Sequence, residues 1–67
     1  MLVLVNGEAR EVREGSSVLG LLDDMALPDG RGIAVAVEGE VVPRGRWEST
    51  RLSEGQAVEI VRAVQGG

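Results

Sequence analysis

The chain has 67 residues and a formal net charge of −4, which is enough for one small acidic domain. Its seven positive charges are all scattered arginines and Trp47 is its one aromatic residue, which argues against nucleic acid as a partner. Without cysteine, histidine, lysine or tyrosine the chain lacks disulfides, thiolate metal sites and most nucleophiles and neutral-pH acid–base groups, so we expect no catalytic and no metal-ligating residue.

The stretch LVLVNGEAREV, near the start of the chain, is typical of a β-hairpin. Alternating β-forming residues run up to Asn6 and Gly7, the pair that best tolerates the positive φ angles of a type I′ turn. The predicted strands are Leu2–Val5 and Ala9–Arg13.

A helix is predicted next, in the stretch SVLGLLDDMAL. Ser16 or Ser17 can cap it by accepting a hydrogen bond from a backbone N–H group, and we favour this role over a catalytic one. Gly20 is a defect inside the helix that would allow close approach to a sheet. Pro28 is expected to end the helix, because the residue before a proline is disfavoured in helical geometry. The apolar stripe at positions i, i+3, i+4 and i+7 consists of Val18, Leu21, Leu22 and Met25.

Three further strands are predicted in the C-terminal half. IAVAVEGEVV places Ile33, Val35 and Val37 on one face. Gly39 then turns the chain into a short strand at Val41–Val42, which ends at a proline and whose pairing the sequence leaves open. Trp47 is expected to pack as a lid on the edge of the core. The turn LSEGQ leads into the final strand, AVEIVRAV.

The order β-β-α-β-(β)-β predicts an α+β fold with one helix among the strands. A single helix cannot cover both faces of a four- or five-stranded sheet, so one face stays open. The residues expected to face the helix are Val3, Val5, Val58 and Ile60. Those expected on the open side are Leu2, Leu4, Val61 and Ala63. Such a patch can mark a partner-docking face, or it can belong to the strand edges of a small protein with little polar surface.

The chain finishes with IVRAVQGG, and two final glycines contribute little to a fold because each loses much backbone entropy on ordering. Either this is a frayed tail, or the terminus is the working part. A terminal carboxylate becomes a good electrophile only when it is activated, for instance as a mixed anhydride with AMP. A tail that enters another enzyme's narrow site must be slim, and glycine has no Cβ to clash. The preceding strand would hold the tail on a rigid base.

These features together resemble the ThiS family, the sulfur carrier proteins of thiamine biosynthesis, over essentially the whole chain. The most specific matches are Val42-Pro43-Arg44 with Trp47 three residues on, the Glu54-Gly55 turn and Gly66-Gly67. The chain departs from the family pattern at Glu38, where members often carry asparagine, and at Gln56, where they often carry an acidic residue. Neither departure touches the tail.

The resemblance implies a ubiquitin-like β-grasp domain over residues 1–63, with a mixed four- to five-stranded sheet and one helix on one face, followed by a flexible tail, 64–67. A ThiF-like adenylyltransferase would use ATP and magnesium to adenylate Gly67, while the chain itself binds no cofactor. A cysteine desulfurase or other persulfide donor would supply sulfur for a Gly67 thiocarboxylate, which a ThiG-like thiazole synthase would consume. Val64, Gln65 and Gly66 would thread into the partner.

Several alternatives share parts of this pattern. A molybdopterin synthase small subunit or a carrier for tRNA thiolation would use the same tail with a different acceptor. A ubiquitin-like modifier would form an isopeptide bond, and a plain interaction domain would not need the glycines. The Pro-Arg-x-x-Trp stretch and the short length favour thiamine biosynthesis. No apolar run approaches the roughly 20 residues of a membrane helix, so a cytoplasmic protein without a membrane partner is expected.

Overall fold

The computed structural model describes residues 1–27 and 32–62 of the chain. This part contains five strands, one α-helix and one short 3-10 helix. In chain order they are β1 (Leu2–Val5), β2 (Glu8–Glu11), α1 (Val18–Asp24), β3 (Ile33–Val37), β4 (Glu40–Val42), the 3-10 helix (Arg44–Arg46) and β5 (Ala57–Arg62). The second strand begins one residue earlier and ends two residues earlier than predicted, because its pairing with β1 runs from Glu8, opposite Val5, to Glu11, opposite Leu2.

All five strands belong to one mixed sheet with the order β2-β1-β5-β3-β4. β1 and β5 run parallel, with Val5 opposite Val58, and the other neighbouring strands are antiparallel. The short β4 does pair, since Val41 lies opposite Ala36 of β3. The predicted fold of one helix with a mixed sheet is therefore confirmed, and β5 occupies the centre of the sheet.

A single hydrophobic core joins α1 to one face of the sheet. Its buried residues are Val3, Val5, Val12, Val18, Leu21, Leu22, Val35, Val37, Trp47, Leu52 and Val58. Ile60 and Met25 are partly buried and pack against this core, as the alternation and the helical stripe predicted. Trp47 is 3% exposed, and its indole nitrogen donates a hydrogen bond of 2.9 Å to the Val42 carbonyl. The tryptophan is therefore a core residue with its polar atom satisfied.

Side-chain and backbone acceptors cap the N-terminus of α1. The Ser17 hydroxyl accepts a hydrogen bond of 3.1 Å from the N–H of Gly20, which makes Ser17 the capping residue of the two predicted serines. The N–H groups of Val18 and Leu19 donate to the carbonyls of Thr50 and Trp47. The segment after the 3-10 helix thus supplies acceptors for backbone N–H groups in the first turn of α1. Gly20 is exposed, so its predicted role in a close approach to the sheet is wrong.

The C-terminus of α1 is a Schellman motif with an alanine in the left-handed position. Ala26 has a φ of 62°, and its N–H donates to the Asp23 carbonyl. The N–H of Leu27 donates to the Leu22 carbonyl at 2.8 Å. The helix consequently ends at Asp24, so the prediction that Pro28 ends it is wrong. Pro28 itself lies outside the described residues.

Candidate functional site

The residues predicted for the reactive tail lie outside the part of the chain that the structure describes. They are Val64, Gln65, Gly66 and Gly67, and Ala63 of the predicted docking face lies there too. The boundary predicted between domain and tail, at residue 63, falls in the same segment. What the structure does describe is the base of this segment, because β5 runs to Arg62.

β5 is held on both sides. Its pairing with β3 extends from Val58, opposite Val37, to Arg62, opposite Ile33. On the other side β1 ends at Val5, and beyond it the Asn6 side chain makes the hydrogen bonds to the β5 backbone. Its Oδ1 accepts a hydrogen bond of 2.9 Å from the Ile60 N–H, while its Nδ2 donates to the Ile60 carbonyl at 3.2 Å. The strand that precedes residues 63–67 is thus anchored up to its last described residue, Arg62.

A second turn residue anchors the beginning of β5. Glu38 and Gly39 have φ values of 51° and 81°, so the β3–β4 turn resembles the first hairpin turn, where Asn6 has a φ of 51°. The Glu38 carboxylate accepts a hydrogen bond of 2.7 Å from the Ala57 N–H. Glu38, a departure from the family pattern, therefore has a clear structural role at the central strand.

The face of the sheet opposite α1 exposes large apolar side chains. Leu2 is 47%, Leu4 41% and Val61 61% exposed, which confirms that these three predicted residues lie on the open side. Their role in binding a partner stays a prediction. Val41 is 70% exposed and lies on this face as well, although it was not among the residues predicted there. The side on which Val41 lies is set by the pairing of β4, which places it opposite Ala36, and the sequence left that pairing open.

The strand register divides this open face into two patches. Leu2 and Leu4 form the first, which we term the β1 patch. Leu4 lies level with Ala57 of β5, so Val61 is four residues farther along, about 13 Å. The second, which we term the β5 patch, consists of Val61, Val41, Ala34 and Ala36. The apolar residues predicted as one surface therefore lie in two patches at different levels of the sheet, with Ala57 and Glu59 of β5 between Leu4 and Val61.

Chemistry-bearing groups are sparse in the described residues. No cluster of three or more aspartate, glutamate, histidine or cysteine residues there could hold a metal ion. Within residues 1–27 and 32–62, no helix has the length and apolar character needed to cross a membrane. The arrangement offers a rigid strand, an apolar face and a chain continuing from Arg62.

Comparison with known proteins places this geometry in a family. The sequence model of the ThiS family matches residues 3–67 of this chain, a range that includes the two terminal glycines. The chain belongs to the ThiS family. The predicted resemblance is thereby confirmed.

Two curated relatives match over the full length of the chain. It is 27% identical over 67 residues to the sulfur carrier protein ThiS of Escherichia coli strain K12, and the match covers 100% of both proteins. It is 31% identical over 67 residues to a thiazole synthase of Paramagnetospirillum magneticum, but spans only 20% of that longer protein.

Solved structures of the ThiS family share the architecture. The crystal structure of the thiamine biosynthesis protein ThiS from Geobacter metallireducens superposes with a TM-score of 0.85 at 30% identity, covering 100% of both chains. An NMR structure of a thiamine biosynthesis protein from the same organism gives a TM-score of 0.81 at 30% identity and covers 88% of that chain. These likenesses confirm the ubiquitin-like β-grasp fold.

Proposed function

We propose that this sulfur carrier is loaded at the C-terminal carboxylate of Gly67, which is adenylated and then converted to a thiocarboxylate. As a member of the ThiS family, the chain is a carrier of thiamine biosynthesis and not an enzyme. The observation that carries the proposal is the family match itself, which runs through both terminal glycines at residues 66 and 67.

The proposed chemistry takes place in two stages. The Gly67 carboxylate attacks the α-phosphate of ATP, and pyrophosphate leaves as the acyl-adenylate forms. A persulfide sulfur then attacks the activated carbonyl carbon and AMP departs. A thiol then reduces the resulting acyl disulfide, which releases the thiocarboxylate and leaves the donor sulfur and the thiol joined in a mixed disulfide. ATP and magnesium are bound by the adenylyltransferase, and the carrier needs no cofactor of its own. Because loading consumes ATP, we propose that it takes place in the cytoplasm.

The proposed partners follow from the order of these steps. A ThiF-like adenylyltransferase activates the tail, a cysteine desulfurase or another persulfide donor supplies the sulfur, and a ThiG-like thiazole synthase receives it. A segment similar to this whole chain makes up 20% of a relative named thiazole synthase, which supports a thiazole synthase as the acceptor.

We expect the carrier to have two working regions, a C-terminal segment outside the described residues and a docking face that is described in part. Val64, Gln65 and Gly66 thread into the adenylyltransferase, and the exposed residues Leu2, Leu4 and Val61, together with Ala63, form the docking face. Apolar side chains in contact with water lose that contact on docking, which favours association by about 25 cal/mol per Å² of buried area. Because β5 is paired with both β1 and β3, we expect it to hold the start of the C-terminal segment in a fixed position relative to the docking face.

The test is the intact mass of the protein after incubation with purified adenylyltransferase, ATP, magnesium, a cysteine desulfurase, cysteine and a thiol reductant. We expect a gain equal to the exchange of one oxygen for sulfur. A chain lacking Gly67 is the matched control: it should fold normally and gain no mass. If the full chain gains no mass while a known carrier is loaded in the same mixture, the proposal is wrong.

A further inference from the structure

Glu59 is a charged residue in the middle of the open face. It lies on β5 opposite Ala36 of β3, and the strand alternation gives it the same side as Ala57 and Val61. Glu59 is exposed, and within residues 1–27 and 32–62 its carboxylate has no hydrogen bond or salt bridge. The carboxylate therefore stands in water among aliphatic side chains.

The charges on this face have one sign. In the described strands, the register places only Glu59 and Glu11 among charged residues on the open side. The strand arginines, Arg10 and Arg62, lie opposite Val3 and Ile33 and so point to the helix side. A partner that covers the open face consequently meets negative charge and no positive charge from these strands.

Docking takes Glu59 out of water. A carboxylate that is desolvated without a partner costs more than the burial of a few neighbouring methyl groups contributes. Its neighbours Ala36 and Ala57 have short side chains, so there is space above the sheet for a long side chain to reach the carboxylate. Arginine and lysine are long enough to reach the carboxylate and carry the opposite charge. Their aliphatic stems can lie on the apolar surface while the charged end pairs with the carboxylate.

We propose that Glu59 pairs with an arginine or lysine of the adenylyltransferase, set in an otherwise apolar docking surface. The proposal rests on the proposed function, because adenylation supplies the encounter in which the open face is covered. It commits to a charged pair at the centre of the interface. A purely apolar contact would leave this glutamate buried and unpaired.

The test compares adenylation of Glu59→Gln and Glu40→Gln carriers at low and high ionic strength, measured as pyrophosphate release. Glu40 is the matched control, because it is an exposed strand glutamate that lies opposite Val37 and so on the other side of the sheet. We expect Glu59→Gln to raise KM about tenfold without changing kcat, since a charge-assisted contact is lost while the tail is intact. Its KM should also depend less on salt than that of the unmodified carrier.

The outcomes separate this inference from the function it rests on. An unchanged KM for Glu59→Gln, with normal adenylation of the unmodified carrier, would overturn the charged pair alone. An equal rise in KM for Glu40→Gln would overturn it too, since net charge would then explain the effect. Absence of adenylation of the unmodified carrier would instead overturn the proposed loading of Gly67.

Discussion

Single residues at the two turns beside β5 replace backbone contacts that the strands do not supply. Asn6 and Glu38 both have a φ of 51°, a left-handed conformation that costs a residue with a side chain roughly 1 kcal/mol. Each residue gains a hydrogen bond to β5 in return, to Ile60 and Ala57 respectively. These side chains fix the strand that ends the described part of the chain, so residues far from Gly67 in sequence would serve its proposed function.

The proposed chemistry at Gly67 depends on a neighbouring residue without a side chain. We expect Gly66→Ala to slow adenylation of Gly67 roughly ten- to a hundredfold, because a Cβ next to the reacting carboxylate displaces it in a narrow site. Pyrophosphate release with the purified adenylyltransferase measures the rate. Gly45→Ala is the control, since a Cβ on Gly45 meets no atom within 4 Å. Adenylation of Gly66→Ala at the normal rate would show that the steric argument is wrong.

At the scale of elements, local sequence signals determine the first hairpin turn, whereas the C-terminus of α1 carries no such signal. Asn6-Gly7 predicts a hairpin turn, because few residue pairs accept two consecutive positive φ angles. The end of α1 carries no such signal, since Ala26 takes the position where glycine is usual. A helix of seven residues has little stability by itself, so packing of its apolar side holds it. That is why its apolar stripe was predictable and its last residue was not.

The strained helix end predicts a stabilising substitution. Ala26→Gly should raise the free energy of unfolding by up to about 1 kcal/mol, because glycine adopts a φ of 62° without a steric penalty. Urea denaturation measures the change. Ala9→Gly is the matched control: Ala9 lies within β2, where glycine weakens a strand, so that variant should be less stable. A destabilised Ala26→Gly protein would contradict strain at the helix end.

For the whole molecule, the sequence predicts which face is open but not how that face is divided. Alternation assigns Leu4 and Val61 to the open side, because one helix covers only one side of the sheet. Their separation depends on the register of β1 against β5, with Leu4 opposite Ala57, and local patterns do not encode pairings between distant segments. Val41 belongs to this face because β4 pairs with β3, and the sequence left that pairing open. The proposed role of Gly67 rests on the family resemblance, because residue 67 lies outside the described part of the chain.

The division into two patches predicts how docking substitutions combine. Leu4→Asp and Val61→Asp should each raise the Kd for the adenylyltransferase about tenfold, because each places a charge in an apolar contact. Both side chains are exposed, so the fold should be kept. The residues lie about 13 Å apart along the strands, and distant effects add, so the double variant should bind roughly a hundredfold more weakly.

Isothermal titration calorimetry measures these affinities. Gly45→Asp controls for added charge, because Gly45 lies on the 3-10 helix, outside the sheet. Normal binding by both single variants would remove the open face as the docking site. Full loss of binding with either single variant, and no further loss in the double, would mean that the partner recognises the two patches as one unit. Additive losses would show that the adenylyltransferase contacts both patches. It would then also cover Glu59, which lies on β5 between Ala57, the residue level with Leu4, and Val61.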